Sequence, residues 1–425
     1  MTESAEVILW GRRIGIIYRN AGMRFARFKY DRDFVGVGIE PSPLMMKVGF
    51  DAYEFPELPE KSFHGLPGML SDSLPDKFGN AVLNLWLERQ GMSANSLSPI
   101  ERLCYTGIRG IGALEYHPMI FDKGDMVERL HVDKLSQLAD AVLRSRYEAK
   151  AGISSDLINC SSIMKVGSSA GGARAKALIG WNEETGEVVS GQVKLPPEFG
   201  YWIIKFDGIT GNCDKERDDE WGYGRVEYAY HLMARAAGIK MSECRLWNKR
   251  HFITRRFDRT SADGKIHTQS LGAIAHYDFN DPASYSYEQA FRITRKIVRD
   301  SKAVEELFRR MVFNVLAWNC DDHVKNIAYL MDRDGSWSLA PAYDMTFAYN
   351  PGGDWTGCHQ MSVNGKRFGI TDEDMLAAAV IADLRRNDAV KIIDEVRQAV
   401  HEWSRFAADA EVGDDFAKIG ILLKG

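Results

Sequence analysis

The sequence is short of the features that would take the protein out of a reducing, aqueous environment. Its six cysteines (Cys104, Cys160, Cys213, Cys244, Cys320 and Cys358) are scattered through 425 residues without a C-x-x-C pair. Neither a zinc site nor a disulfide framework is expected, and a reduced, cytoplasmic protein fits. No stretch approaches the ~18 apolar residues that a bilayer requires. The start, MTESAEVILWGRR, lacks the basic-then-apolar order of a signal peptide. With 13 prolines and no low-complexity tract, neither disorder nor a fibrous repeat is indicated. Positive charge is not in excess either. The net charge of −5 excludes a general electrostatic pull toward nucleic acid. The basic run from Arg292 to Arg299 reads as a solvated helix face, and Cys320 as a small packing residue.

What is present is ordinary globular material, 45% hydrophobic and 27% charged, in a chain longer than one core usually serves. Two or three lobes are therefore expected. Residues 1–120 read as short strands and turns: ILWGRRIGIIY and MRFARFKY are hairpin-like, and HGLPGMLSDSLPDKFGNAVLNLWLERQG passes from a Pro/Gly turn into a helix. Asp72 or Ser73 is the expected cap of that helix. The glycines of YTGIRGIGALEY suggest a tight turn feeding a strand. Residues 121–260 begin with an amphipathic helix and continue as strand-turn-strand, a helix ending at Gly238, and further strands. Residues 261–425 read as helical apart from the turn-rich block Cys320 to Gly353. The expected class is α+β, a β-rich half followed by an α-rich half with a cleft between them.

The block WNCDDHVKNIAYLMDRDGSWSLAPAYDM carries the strongest chemical signal. Asn326 follows Asp321 by five positions, and Asp344 comes after an intervening hairpin. Protein kinases space a catalytic-loop aspartate and a metal-binding asparagine in this way. Phosphoryl transfer needs a carboxylate to receive the hydroxyl proton, which suits Asp321, and hard oxygen ligands for magnesium, which suits Asn326 and Asp344. Asp322 stays open as an alternative base. Upstream, the strand YWIIKFDG sets Lys205 within an apolar run. A lysine there either meets an anion, with Glu227 on the following helix orienting it, or snorkels to water. The turn SSAGGARAK offers backbone N–H groups to a phosphate, although it lacks the Walker spacing. Each signal is weak alone, but their order is that of a kinase.

Together, GGARAK, IIKF, RVEYAYHLMARAAGI, RRFDR, DDHVKN and PAYDM, with LSDSLPDKFG near the amino terminus, resemble the HipA-like serine/threonine kinases of bacterial toxin–antitoxin systems. The similarity runs from about residue 5 to residue 410. The resemblance implies a protein-kinase-like two-lobed fold: a β-rich amino-terminal subdomain over 1–120, a nucleotide-binding small lobe over 121–260, and a helical carboxy-terminal lobe over 261–425. It implies ATP and Mg²⁺ as cofactors, Asp321 as catalytic base, and Asn326 and Asp344 as magnesium ligands. Lys205 would meet the nucleotide phosphates, and Gly171, Gly172, Ala173, Arg174, Ala175 and Lys176 would form the phosphate loop. Arg255, Arg256 and Phe257 would hold adenine, with His323 and Asp258 near the ribose or phosphates and Tyr343 also facing the nucleotide. A serine before the loop, Ser169 or its neighbour Ser168, would be autophosphorylated as an off switch, its added charge repelling the nucleotide.

Bland alternatives stand beside these roles. His323 could simply bridge two backbone segments, and Asp258 could pair with Arg256 or Arg259. The sequence also departs from the family in having Asp322 where a glycine is usual and Arg174 and Ala175 where polar residues are usual. Most tryptophans read as packing, with Trp355 in NPGGDWTGCH the candidate for facing a substrate. The first functional expectation is a kinase acting on a protein target, such as a translation component. The second is a catalytically dormant module that joins a helix-turn-helix antitoxin and reaches DNA only through it. A small-molecule kinase is a third, disfavoured by GGARAK and PAYDM.

Overall fold

The computed structural model describes residues 3–93, 96–120, 129–145, 174–209, 221–260 and 264–423. The expected sites at Ser168, Ser169, Gly171, Gly172 and Ala173 lie outside the described residues. The chain divides into two units. The first comprises Met1–Glu220, Ile253–Gln269 and Arg333–Gly335, and the second Trp221–Phe252, Ser270–Asp332 and Ser336–Gly425.

In the first unit, β1 (Glu3–Leu9), β2 (Arg12–Arg19), β3 (Arg27–Tyr30), β4 (Ala52–Tyr53) and β5 (Leu114–His117) form an antiparallel sheet in the order β4-β3-β2-β1-β5. Ala5, Val7 and Leu9 alternate into the core along β1, the period of two that marks a half-buried strand. The β1–β2 hairpin turns on Trp10 and Gly11, both at positive φ, the backbone that a two-residue hairpin demands. Helix α1 (Lys77–Arg89) follows, capped by the Asp76 carboxylate, whose Oδ1 accepts from the Gly79 N–H at 2.5 Å. The cap is thus Asp76 rather than Asp72 or Ser73. Pro75 disfavours helical backbone at Leu74, so a helix cannot start upstream and run through it. Helix α2 (Pro99–Thr106) carries a full capping box between Ser98 and Glu101. Helix α3 (Val132–Ser145) comes next. Strand β6 (Lys176–Trp181) then pairs antiparallel with both β7 (Val188–Ser190) and β8 (Gly200–Lys205).

The second unit starts with α4 (Tyr223–Ala236) and β9 (Cys244–Trp247). The chain returns to the first unit within β10 (His251–Arg255), and leaves it again at the end of β11 (His267–Ser270). Helices α5 (Tyr287–Ile297) and α6 (Lys302–Leu316), the hairpin of β12 (Ala328–Met331) and β13 (Trp337–Leu339), and helices α7 (Arg386–His401) and α8 (Trp403–Asp409) follow, with shorter helices at Leu271–Ala275, Asp372–Ile381 and Ala417–Leu422. This unit is helical apart from its short strands, so the α+β class is realised as expected. Its core is built around Tyr230 of α4, which packs edge-on against Phe313 and Trp403 and donates its hydroxyl to the Ala317 carbonyl at 2.7 Å. That bond ties the end of α6 down just before the Asp321 segment. Among the described residues, no helix is long and apolar enough to cross a membrane.

Candidate active site

After α6 the chain leaves helical geometry at Trp318, a non-glycine residue at φ 52°. Backbone bonds from Ala348 N–H to Trp318 O and from Cys320 N–H to Ala348 O then hold the next stretch, both at 3.1 Å. Asp321 is the first residue past this stitch. Its side chain is 42% exposed, and its carboxylate accepts one hydrogen bond, from the Trp355 indole N–H to Oδ1 at 2.7 Å. His323 Nε2 stands 3.8 Å from the same oxygen. Oδ2 has no hydrogen-bond partner among the described residues. An exposed carboxylate held by one oxygen and open at the other can receive a proton.

The turn that follows fixes Asn326 relative to Asp321. The His323 ring accepts the Lys325 N–H at 3.2 Å, its carbonyl accepts the Asn326 N–H at 2.8 Å, and one 3-10 turn forms over Val324–Asn326. The Asn326 amide then donates to the Asp321 carbonyl at 2.7 Å. This leaves its amide oxygen without a partner among the described residues, a hard acceptor aimed from the loop. Tyr343 donates its hydroxyl to the Lys325 carbonyl at 2.5 Å, which brings the segment carrying Asp344 onto the same turn. Asp344 sits at φ 53°, a left-handed backbone that costs a non-glycine residue about 1–2 kcal/mol. Strain of this kind is retained where the surroundings hold it, often at functional sites. Among the described residues, no three His, Cys, Asp or Glu side chains converge into an all-protein metal cage. One carboxylate and one amide oxygen suit magnesium, which keeps waters and substrate phosphates as its other ligands.

Asp322, one residue on, is the opposite of Asp321. It is 3% exposed. Its Oδ1 accepts the Gln360 backbone N–H at 2.7 Å, and its Oδ2 accepts the Tyr287 hydroxyl at 2.9 Å and faces His359 Nδ1 at 3.0 Å. Asn314 of α6 donates to the Tyr287 oxygen at 2.8 Å, and Asn319 donates to Asn314 at 2.9 Å. Burial works against a charged His359. The Asp322 charge and hydrogen bond, with a contribution from Cys320, outweigh it and raise the imidazole to about 10. With both oxygens committed to protein partners and the side chain buried, Asp322 is placed as an anchor for the turn. His359, Gln360, Tyr287 and Asn314 carry no local motif. Their partner is 27–38 residues away along the chain, or closer only in the fold, and nothing in the sequence singled them out.

The remaining expected nucleotide-site residues belong to the first unit, whereas Glu227, expected to orient Lys205, lies on α4 of the second. Lys176 opens β6 and is buried. Its ammonium pairs with Asp76 Oδ2 at 3.0 Å, the side chains being 3% and 5% exposed. The antiparallel register sets Lys176 directly across from Lys205, so the two lysines share one face of the sheet. Ala175 is buried and its carbonyl accepts the Phe206 N–H at 3.0 Å, while Arg174 is half-buried. Arg255 is exposed at the end of β10 and Phe257 half-buried. Arg256 is buried and grips Asp258 with two bonds, Nε to Oδ1 at 2.9 Å and Nη2 to Oδ2 at 2.7 Å. Arg259 adds a third at 2.6 Å, and the Gly112 N–H a fourth at 2.8 Å. Burial alone would raise the Asp258 carboxyl. The charges of Arg256 and Arg259 and these hydrogen bonds outweigh it and hold the group well below the usual carboxylate range. The Asp258 side chain is therefore spent on binding the Gly110–Gly112 turn, since Arg256 and Arg259 also donate to the Gly110 carbonyl at 3.3 and 3.0 Å.

Comparison with known proteins sets this geometry in context. The profile of the HipA-like C-terminal domain matches residues 168–403, and that of the HipA N-terminal domain matches residues 5–117. Two curated proteins of Sinorhizobium fredii (strain NBRC 101917 / NGR234) align over about half of the chain. "Putative kinase Y4dM" is 24% identical over 50% of this chain and 53% of its own length. "Putative kinase Y4mE" is 29% identical over 54% of this chain and 55% of its own length. The chain thus spans about half the length of the curated relatives it matches. Among solved structures, the Shewanella oneidensis MR-1 toxin–antitoxin complex of HipA, HipB and its operator DNA has a chain that superposes with a TM-score of 0.67, over 99% of this chain and 95% of that one. At 15% identity, that match speaks for the fold.

Proposed function

The chain belongs to the HipA-like family, and from that premise we propose that it is an ATP- and Mg²⁺-dependent serine/threonine protein kinase. One observation carries the reading: a half-exposed Asp321 carboxylate with Oδ2 open, on a turn that also fixes Asn326 with its amide oxygen open. Asp321 Oδ2 takes the proton of the acceptor hydroxyl as that oxygen bonds to the γ-phosphorus and the bond to the departing ADP oxygen breaks. Asn326 and Asp344 hold the metal, and Lys205, Arg174 and the loop around Gly171, Gly172 and Ala173 hold phosphate. Arg255, Arg256 and Phe257 offer backbone groups to adenine, and Tyr343 fixes the Asp321–Asn326 turn through the Lys325 carbonyl. His323, 3.8 Å from Asp321, keeps the base flanked by a polar ring. Bound ATP supplies the phosphoryl group and Mg²⁺ neutralises the charge that develops on it.

The expected acceptor is a serine on a protein target, with Ser168 or Ser169 as the internal acceptor that switches the enzyme off. A helix-turn-helix antitoxin is the expected partner, and DNA is met through it. The dormant-module reading is the weaker of the two, because a module with no chemistry to perform has no need of the strained Asp344 or of an open Asp321. Incubation with magnesium and γ-labelled ATP, beside an Asp321→Asn protein, followed by phosphosite mass spectrometry, decides between them. Label in the parent alone supports the kinase. A parent that takes up no label, on itself or on lysate proteins, removes it.

A further inference from the structure

Three hydrogen bonds and one peptide bond close a circuit around the two adjacent aspartates, and all of its members lie in the second unit. Asp322 Oδ1 accepts the Gln360 backbone N–H at 2.7 Å. The Gln360 side chain, 3% exposed, donates from Nε2 to the Trp355 carbonyl. The Trp355 indole N–H donates to Asp321 Oδ1 at 2.7 Å. The peptide bond between Asp321 and Asp322 completes the ring. His359, beside Gln360, seals it by facing Asp322 Oδ2 at 3.0 Å, and Gln360 Nε2 also reaches the Cys358 carbonyl at 3.3 Å. The segment from Trp355 to Gln360 is therefore clamped to Asp322 at its far end and presses its one indole donor onto Asp321 at its near end.

We propose that Trp355 is a positioning residue for the Asp321 carboxylate, and that Asp322, through Gln360 and His359, is the lock that keeps Trp355 in place. This rests on the kinase reading and deepens it. A free carboxylate rotates about its last torsion, and either oxygen can turn away from an acceptor. A hydrogen bond to Oδ1 stops that rotation and leaves Oδ2 as the oxygen presented to a hydroxyl. The bond is charge-assisted, and stronger than one between neutral groups. Such positioning matters because displacement of a reacting group by about 1 Å can cost on the order of 100-fold in rate. The arrangement also accounts for the second aspartate of the pair. Asp322 lies too deep to react, yet it adjoins the base and grips the Trp355 segment through Gln360 and His359. The His359 pair makes that grip an ion pair in a dry setting, where breaking one side leaves the other uncompensated.

The test measures phosphate transfer and ligand binding together on Trp355→Phe, Asp322→Asn and the double variant, with the indole N–H proton resonance as an independent readout. Trp355→Phe keeps a ring and removes the donor. It is expected to lower kcat about 10- to 100-fold with Mg·ATP affinity and KM for ATP unchanged. Asp322→Asn is expected to lower kcat similarly, and the double variant to lose no more than the worse single one, since both act through one contact. The Trp355 indole resonance, identified by its absence in Trp355→Phe, is expected to move upfield in both Asp321→Ala and Asp322→Asn. An active parent matched in kcat by Trp355→Phe overturns this inference and leaves the kinase standing, as does an indole resonance that ignores Asp321→Ala. A parent that transfers no phosphate overturns both. Unchanged Mg·ATP affinity in each variant shows that a lost rate is not a lost fold.

Discussion

Asp258 in the first unit and Asp321 in the second are both aspartates in turn segments rich in charge, and the fold treats them in opposite ways. Asp258 is 2% exposed and meets two arginines and a backbone N–H. Asp321 is 42% exposed along its side chain and meets one indole. The first carboxylate has been used up in joining β10's extension to the Gly110–Gly112 turn, while the second has been held at one oxygen and kept open at the other. A carboxylate surrounded by cations is thus no guide to a reactive site. The informative feature is an acid that the protein positions but does not satisfy, since buried polar groups are otherwise paired almost without exception.

That contrast can be broken by the same substitution made twice. Asp258→Asn leaves two buried guanidinium groups short of their counter-ion, and is expected to cost about 3–5 kcal/mol of stability. Asp321→Asn removes a half-exposed charge and is expected to shift stability by no more than about 0.5 kcal/mol. Chemical unfolding of the two variants against the parent checks both figures, and equal losses would erase the distinction. A second buried pair sharpens it. Asp76→Asn keeps a side chain able to cap α1 but leaves Lys176 buried without its carboxylate, at an expected cost of about 3 kcal/mol. Lys176→Met with Asp76→Asn together are expected to recover much of that loss, because no buried charge then remains. A double variant as weak as Asp76→Asn alone would show that capping, not the ion pair, matters at this position.

The smallest effect concerns pH. His359 is raised to about 10, so its contribution is whole below its unfolded value of about 6.5 and is lost as pH climbs through about 10. The thermal midpoint of the parent is expected to fall by a few degrees across that range. In His359→Gln the fall is expected to be shallower, because no proton is released there. Parallel curves for the two proteins would mean that His359 is not charged in the fold.

Much of this architecture was legible in advance, because its signals are local. The β1–β2 hairpin, the strands from Lys176 to Lys205 and the helix ending near Gly238 follow from alternation, β-branched runs and turn residues. The D-x-x-x-x-N spacing likewise marked the turn that carries Asp321 and Asn326. The cap lies at Asp76 and not at the expected Asp72 or Ser73, because Pro75 disfavours helical backbone at Leu74 and moves the helix start past the first capping residues. The spacing favours Asp321 as base and leaves Asp322 as an alternative, since the environments of adjacent identical side chains differ only in what the fold brings to them: Tyr287 from α5, and His359 and Gln360 from a segment nearly forty residues on. The sequence marks Trp355 only as a candidate for facing a substrate, and its bond to Asp321 carries no local signal for the same reason. Tertiary contacts of that range leave no periodic trace.

The most direct test of the central claim is a rapid-quench measurement of γ-phosphate transfer by the parent and Asp321→Asn at saturating Mg·ATP, with ATP affinity measured on the same preparations. The account predicts a rate lower by about 10²- to 10⁴-fold at unchanged affinity. Transfer by Asp321→Asn at the parental rate would contradict it, and would show that the open carboxylate is not the base.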